Sequence, residues 1–322
     1  MILVCGEALI DLFTTSDGPA DPTLKAVVGG SPFNVAVGLA RLDNSAAFFG
    51  GLSLDYFGTL LVDTLRTESV DTSFVKRSTR PTPLVLVSPD AQGHPSYTFY
   101  AHDSAEQDVQ LADVSRPLPE SISAIALGSY TLAVEPVGSA LLALAEREAR
   151  RTVIALDCNL RPALVGPLDS WRQRIERFAR CASIIKLSDE DFASGWSDSS
   201  QPDDQAADWL DLGVKLVVMT HGARGATAWH RCGRVTVPAL PAKVVDTVGA
   251  GDSFQAALLA RLAQKDLLTS AALSTLDRNA ISDALHYATF AASLTCERRG
   301  ADLPRLADID KLLVAQNNGP ET

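Results

Sequence analysis

Hydrophobic positions along this chain fall into short solid runs and into stripes of helical period. Ile2–Cys5 is an apolar run ending at Gly6, the pattern of a buried strand whose C-terminal end opens toward a crevice. Val35–Leu42 reads as a helix with small residues, Ala46–Gly50 as a strand, and Asp55–Glu68 as an amphipathic helix with Phe57, Leu60, Leu61 and Leu65 on its core face. From Ser123 the alternation is regular. Strands at Ala124–Leu127, Thr152–Leu156, Ser183–Leu187 and Val214–Met219 are separated by helices at Pro136–Arg150, Ser170–Arg180 and Gln205–Leu212. This predicts a mainly parallel sheet with helices on both faces, and a crevice at the C-terminal ends of its strands. Helices at Ser253–Gln264 and around Ile281–Leu294 follow, and the polar tail from Gln316 reads as frayed.

Two segments break the pattern. Thr14–Thr23 is rich in Asp, Gly and Pro, as in an exposed connection, and precedes a short strand at Ala26–Val28. Leu84–Ser88 and Ser96–Ala101 are β-prone runs joined by the turn-rich link Pro89–Pro95, which predicts an antiparallel hairpin. These segments, about 12–28 and 80–106, form a small flap on a single domain spanning 1–322. Exposed edges of such a hairpin need covering, which points to a homodimer.

Composition narrows the partners. A formal charge of −11 with no run of Lys or Arg argues against nucleic acid or an anionic membrane, so an anionic substrate needs local cations. The five cysteines are scattered without a Cys-x-x-Cys pair, which fits a reducing cytoplasm and neither a disulfide framework nor a zinc site. The N-terminus carries an acid where a signal peptide is basic, and no apolar run approaches the ~18 residues of a membrane span.

The densest chemistry lies in Val245–Phe254. Gly249, Ala250 and Gly251 lack bulk, so consecutive N–H groups can converge on an anion while the helix that follows aims its positive end at the same point. Asp252 stands beside that anion. Gly29 and Gly30 permit close backbone approach to a ligand, and Asn34 on the next turn either holds sugar hydroxyls or merely caps the helix. Asp11 is a candidate for binding a polyol, and Tyr97, Phe99 and Tyr100 stiffen the flap or cover a ligand. Polar groups then recur at successive strand ends: Glu135; Asp157, Asn159 and Arg161; Lys186, Ser188 and Asp191; Thr220, Gly222 and Gly225. Arg161 and Lys186 are the cations an acidic protein needs to hold polyphosphate. No P-loop, Gly-x-Ser-x-Gly or His-Glu-x-x-His motif is present, and Phe254 stands where a dinucleotide fingerprint wants a small residue.

Taken together, Gly29–Asn34 and Asp246–Phe254 resemble the two signatures of the ribokinase, or pfkB, family of carbohydrate kinases. Gly6–Asp11, Gly128–Pro136, Asp157–Pro162 and Lys186–Glu190 look most like bacterial fructokinases. The resemblance implies a ribokinase-like three-layer α/β/α sandwich with a mainly parallel central sheet and a small β-sheet lid. It implies ATP and Mg²⁺, with Asp252 as the base, Gly249, Ala250 and Gly251 as the anion hole, and Arg161 near the phosphates. Asp11, Gly29, Gly30, Asn34, Phe99, Glu135 and Asn159 would then surround the sugar, and Lys186, Ser188, Thr220, Gly222 and Gly225 border the nucleotide. Asp191 stands where the family places a glutamate that orders the metal's water shell. Asp246 matches an aspartate that holds a monovalent cation in many relatives, which leaves K⁺ activation open.

The implied activity is phosphorylation of D-fructose to fructose 6-phosphate. Its alternatives are a 2-keto-3-deoxygluconate kinase or another sugar or nucleoside kinase, and, from another class, a non-catalytic sugar-binding regulator. A carboxylate-bearing sugar needs an extra cation, and none is obvious at Tyr97–Asp103, which favours a neutral sugar. The regulator would have lost the base or the anion hole, and both are intact.

Overall fold

A computed structural model describes residues 1–14, 23–89, 95–196 and 198–317. The strands in chain order are β1 Ile2–Cys5, β2 Leu9–Thr14, β3 Leu24–Gly29, β4 Ala46–Phe49, β5 Gly51–Ser53, β6 Lys76–Ser78, β7 Leu84–Pro89, β8 Pro95–Tyr100, β9 Ala124–Gly128, β10 Val153–Asp157, β11 Ile184–Ser188, β12 Leu216–Thr220, β13 Ala226–His230 and β14 Gly233–Val237. Eight of them build the main sheet in the order β14-β13-β12-β11-β10-β9-β1-β4. From β4 to β12 the pairings are parallel; β13 and β14 close one side as an antiparallel hairpin. The sequence pattern predicts no strand beyond Met219, and this hairpin adds two.

Alternation along the inner strands explains the three layers. Ile2 and Val4 belong to one hydrophobic cluster with the helices Ser31–Arg41, Ala250–Gln264 and Arg278–Cys296. Leu3 and Cys5 belong to a second, with the helices Val137–Glu148, Leu168–Ala179 and Pro202–Leu212, where Trp171, Trp196 and Trp209 pack ring on ring. A strand whose successive side chains are both buried has no polar face, hence the solid apolar runs.

A separate four-stranded sheet has the order β3-β2-β7-β8. The expected hairpin is present as β7 and β8, and β2 pairs in parallel with β7, so the first excursion and the hairpin are one sheet. Its register aligns Val27, Asp11, Val85 and Phe99 in one row, which puts Asp11 and Phe99 on the same face. The expected exposed connection at Thr14–Thr23, the turn inside Pro89–Pro95 and the end of the tail beyond Asn317 lie largely or wholly outside the described residues.

Two expectations shift. Leu60 is 38% exposed rather than core, because the apolar stripe of Tyr56–Thr67 turns inward at Leu61 and Leu65. The helices read from Val35 and Ser253 begin earlier, at Ser31 and Ala250, so both candidate loops run directly into a first helical turn. Among the described residues no helix is long and apolar enough to cross a membrane.

Candidate active site

The site begins at the start of the helix Ala250–Gln264. Gly249 precedes it at φ 79°, and a side chain there would meet the Cβ of Ala301 at 2.6 Å and its Cα at 2.8 Å. Only glycine satisfies both demands. No side chain caps this helix start; the Ala250 N–H bonds the Thr247 carbonyl at 3.2 Å, and the positive end of the helix dipole stays available to an anion.

Asp252, on the same turn, is 9% exposed. Its Oδ1 accepts a hydrogen bond from Ser31 Oγ at 2.6 Å and its Oδ2 one from Asn34 Nδ2 at 2.8 Å. The two loops singled out in the sequence therefore meet at one carboxylate. Asn34 does not cap its own helix; Gly30 is the N-cap residue, without a side-chain bond. Gly30 has φ 104°, and a Cβ there would lie 2.9 Å from the Glu7 carbonyl oxygen. A Cβ at Gly29 would lie 2.4 Å from Asp11 Oδ2, so Asp11 lies directly against this loop. Burial, with the charge of Asp252 adding to it, pushes the Asp11 carboxyl up to about 6.

The neighbouring strand ends supply a buried ion pair. Asp157 and Lys186 are side by side in the β10–β11 register, and Lys186 Nζ donates to Asp157 Oδ2 at 2.8 Å. Burial pushes Asp157 up to about 6 against the attraction of Lys186. Burial opposes the charge on Lys186, but Asp157, Asp191 and Asp252 outweigh it and hold the ammonium above its ordinary value. A Cβ on Gly251 would lie 3.3 Å from Lys186 Nζ, so this cation touches the helix start rather than standing apart from it.

Next along the edge, Ser188 pairs in register with Thr220. Ser188 caps the helix Asp189–Gly195: its Oγ accepts from the Asp191 N–H at 2.9 Å, and Asp191 Oδ2 accepts from the Ser188 N–H at 2.9 Å. Asp191 Oδ1 accepts from the Leu160 N–H at 2.8 Å. Each oxygen thus spends one lone pair on backbone, which leaves room for a water-mediated contact with a metal. Among the described residues no group of three or more His, Cys, Asp or Glu converges to cage a metal. Gly222 and Gly225 flank the short 3₁₀ turn after β12, both at positive φ.

Other candidates lie further out. Arg161 is exposed and donates to its neighbour Leu160 O at 3.1 Å. Asn159 is buried at a φ of 32°. Phe99 packs edge-on against Tyr130 with centroids 6.4 Å apart. Tyr97, on the same face of the small sheet, is close enough to three candidates to feel their charge: burial, joined by Asp11 and Asp246 and opposed by Arg161, pushes its phenol up. Glu135 pairs with Arg174 and accepts from Ser139 Oγ at 2.9 Å. Asp246 accepts from the N–H groups of Gly300 at 2.8 Å and Val248 at 3.1 Å, joining the cradle loop to the 300 turn. Ser31 and Asp157 had no assigned role in the sequence reading. Ser31 stands in the Gly29–Asn34 signature, and only the fold shows which carboxylate it meets.

A model of the pfkB family carbohydrate kinases matches residues 1–308. A fructokinase of Rhizobium leguminosarum bv. trifolii is 38% identical over 281 residues, 87% of this chain and 85% of that protein. A crystal structure of fructokinase with bound ATP from Xylella fastidiosa superposes with a TM-score of 0.90 at 25% identity, covering 98% of this chain and 99% of that one. The Vibrio cholerae O395 fructokinase in its fructose-, ADP- and calcium-bound form gives a TM-score of 0.80 at 28% identity over 97% and 98% of the two chains.

Proposed function

The chain belongs to the pfkB family of carbohydrate kinases, and on that premise we propose that it phosphorylates D-fructose to fructose 6-phosphate with ATP. The observation that carries this reading is Asp252: a buried carboxylate at an uncapped helix N-terminus, held on both oxygens by the Gly29–Asn34 loop. A base and an anion cradle joined in this way serve transfer of a phosphoryl group to an alcohol. The similarity to a bacterial fructokinase and to ATP- and fructose-bound fructokinase structures supports the choice of substrates.

The mechanism needs positioning and charge rather than covalent chemistry. The sugar lies between the Asp11 row of the small sheet and Asp252, its hydroxyls held by Asp11, Asn34 and the Gly29–Gly30 backbone. Above pH 6 Asp11 is charged and acts purely as an acceptor. Asp252 takes the proton of the attacking hydroxyl late in transfer, and the N–H groups of Gly249, Ala250 and Gly251 meet the growing phosphoryl charge. Lys186 lies against the same turn, and Arg161 reaches the phosphates from the next strand end. Ser188, Thr220, Gly222 and Gly225 border the nucleotide. Bound Mg²⁺ would neutralise charge across the phosphates, with Asp191 reaching it through water. Asp246 and the 300 turn would seat a monovalent cation.

The small sheet, with Tyr97 and Phe99 facing Asp11, closes over the sugar and excludes water, protecting ATP from hydrolysis. Its other face exposes Leu24 and Tyr100, and the outer edges of β3 and β8 carry no further strand among the described residues, which supports a homodimer through this sheet. The test is a coupled ADP-release screen over fructose, ribose, 2-keto-3-deoxygluconate and nucleosides, with and without K⁺. Fructose should give the highest kcat/KM; no turnover on any of them would return the chain to a sugar-binding regulator.

A further inference from the structure

One turn after Asp252 on the same helix stands Gln255, 1% exposed. Neither its Nε2 nor its Oε1 has a hydrogen-bond partner among the described residues. The same is true of Asp157 Oδ1, the oxygen that Lys186 leaves free. Both residues line one small cavity of about 10 Å³, together with Ser31, whose hydroxyl donates to Asp252. Buried polar atoms in folded proteins almost always have a hydrogen-bond partner, so three such atoms on two residues that line one cavity call for a common partner. The volume is about the least that admits one water molecule.

The chemistry of the unpaired atoms selects the occupant. The orphan atoms comprise one donor, Gln255 Nε2, and two acceptors, Gln255 Oε1 and Asp157 Oδ1. A water molecule can accept from the first while donating to the others. A bare cation would leave Nε2 unpaired, and it would sit beside a carboxylate already neutralised by an ammonium at 2.8 Å. We propose that a single structural water occupies this cavity, bridging the Gln255 amide to Asp157 Oδ1, and that Gln255 is thereby a positioning residue for the Asp157–Lys186 pair.

The consequence runs through charge. A donor on Oδ1 favours the ionised form of Asp157. The groups that already bear on that carboxylate are Lys186 from β11, Asp191 from the helix Asp189–Gly195 and Asp252 from the helix Ala250–Gln264; the two acids disfavour ionisation and Lys186 favours it. Ionised Asp157 keeps Lys186 directed at the turn of Gly251. The helix that carries the proposed base thus also governs the cation beside it, through a water one turn further on.

The water is tested without reference to catalysis, on the wild-type chain: a crystal structure fine enough to resolve solvent should show one peak within hydrogen-bond distance of both the Gln255 amide and Asp157 Oδ1. An empty cavity, or a peak with the short, many-ligand contacts of a metal ion, overturns the proposal. ¹⁷O relaxation dispersion should lose one long-lived water in Gln255→Met, which keeps the length of the side chain but can neither donate nor accept well. The kinetic arm rests on the kinase reading. In Gln255→Met the acid limb of kcat should move up by about one pH unit, the effect of one lost charge-assisted hydrogen bond. Gln255→Ala, which opens space for further water, should keep the limb within a few tenths of wild type. An unmoved limb in Gln255→Met, or an equal shift in both variants, overturns the positioning role.

Discussion

Asn34 and Asp252, 218 positions apart in the chain, are joined by a 2.8 Å hydrogen bond from Asn34 Nδ2 to Asp252 Oδ2. With Ser31 on the other oxygen, the bond ties the loop beside Asp11 to the helix start proposed as the anion cradle. Removing the charge while keeping the shape is the sharpest probe of this junction. Asp252→Asn should fold and bind ATP, with kcat lower by about 10²–10⁴-fold, the usual contribution of a general base. Turnover near wild type in a coupled ADP assay would refute the assignment of the base.

Each bond to Asp252 has its own value. Asn34→Ala or Ser31→Ala removes one hydrogen bond to a charged group, worth about 1.5–3 kcal/mol, and should lower kcat/KM for the sugar by roughly 10–100-fold. The two changes act on one carboxylate, so their combination should be non-additive in a double-mutant cycle. Simple additivity would mean that the bonds do not orient Asp252 together.

Lys186 and Asp157 are both buried, so breaking the pair strands a charge. Lys186→Met should cost about 3–5 kcal/mol in denaturant unfolding. The double variant Lys186→Met with Asp157→Leu should recover most of that stability while phosphoryl transfer stays impaired. Recovery of activity along with stability would show that the cation is purely structural.

Gly249 tests the cradle by shape. Gly249→Ala imposes both a positive-φ strain and contact with Ala301, and should weaken ATP binding by roughly tenfold or more while costing about 1–3 kcal/mol of stability. Isothermal titration with a non-hydrolysable nucleotide reads the first effect, and thermal melts read the second.

Glu7 provides a pH signature of the fold. Burial, aided by the charge of nearby Glu106 and opposed by hydrogen bonds from Ser129 and Thr131, pushes its carboxyl up from 4.5 to about 7. The native state thus holds a proton that the unfolded chain releases near 4.5. Its favourable contribution is complete below that pH and is lost as pH rises through 7. Glu7→Gln, always neutral, should flatten the decline of stability between pH 5 and pH 8 by up to about 3 kcal/mol. An unchanged slope in urea melts would show that Glu7 does not carry this titration.

Local pattern accounts for much of this protein. The solid runs Ile2–Cys5 and Ala124–Leu127 declare strands buried on both faces, since only a sheet covered twice lacks polar alternation. The small residues before Asp252 and after Val28 mark backbone that must come close to something. The parallel sheet, its crevice and both loops are therefore legible one segment at a time. The β13–β14 hairpin was not, because Ala226–His230 carries Thr227 and His230 among its apolar residues, and its burial comes from neighbours rather than composition.

Contacts between distant segments were decided by tertiary structure alone. In the sequence Asn34 reads as a sugar ligand or a helix cap; packing of the helix Ser31–Arg41 against Ala250–Gln264 is what brings Asp252 to it and to Ser31. Glu135 follows a strand end like its fellows, and only the fold shows that Arg174 is its partner. The pairing of Asp157 with Lys186 follows from strand register, and the cavity shared by Asp157 and Gln255 from how a helix seats on the sheet. Sequence determines which backbone can approach closely and which faces are apolar, because sterics and hydrophobicity act over a few residues. It leaves open which polar atoms meet across some two hundred residues, because that depends on the packing of whole elements.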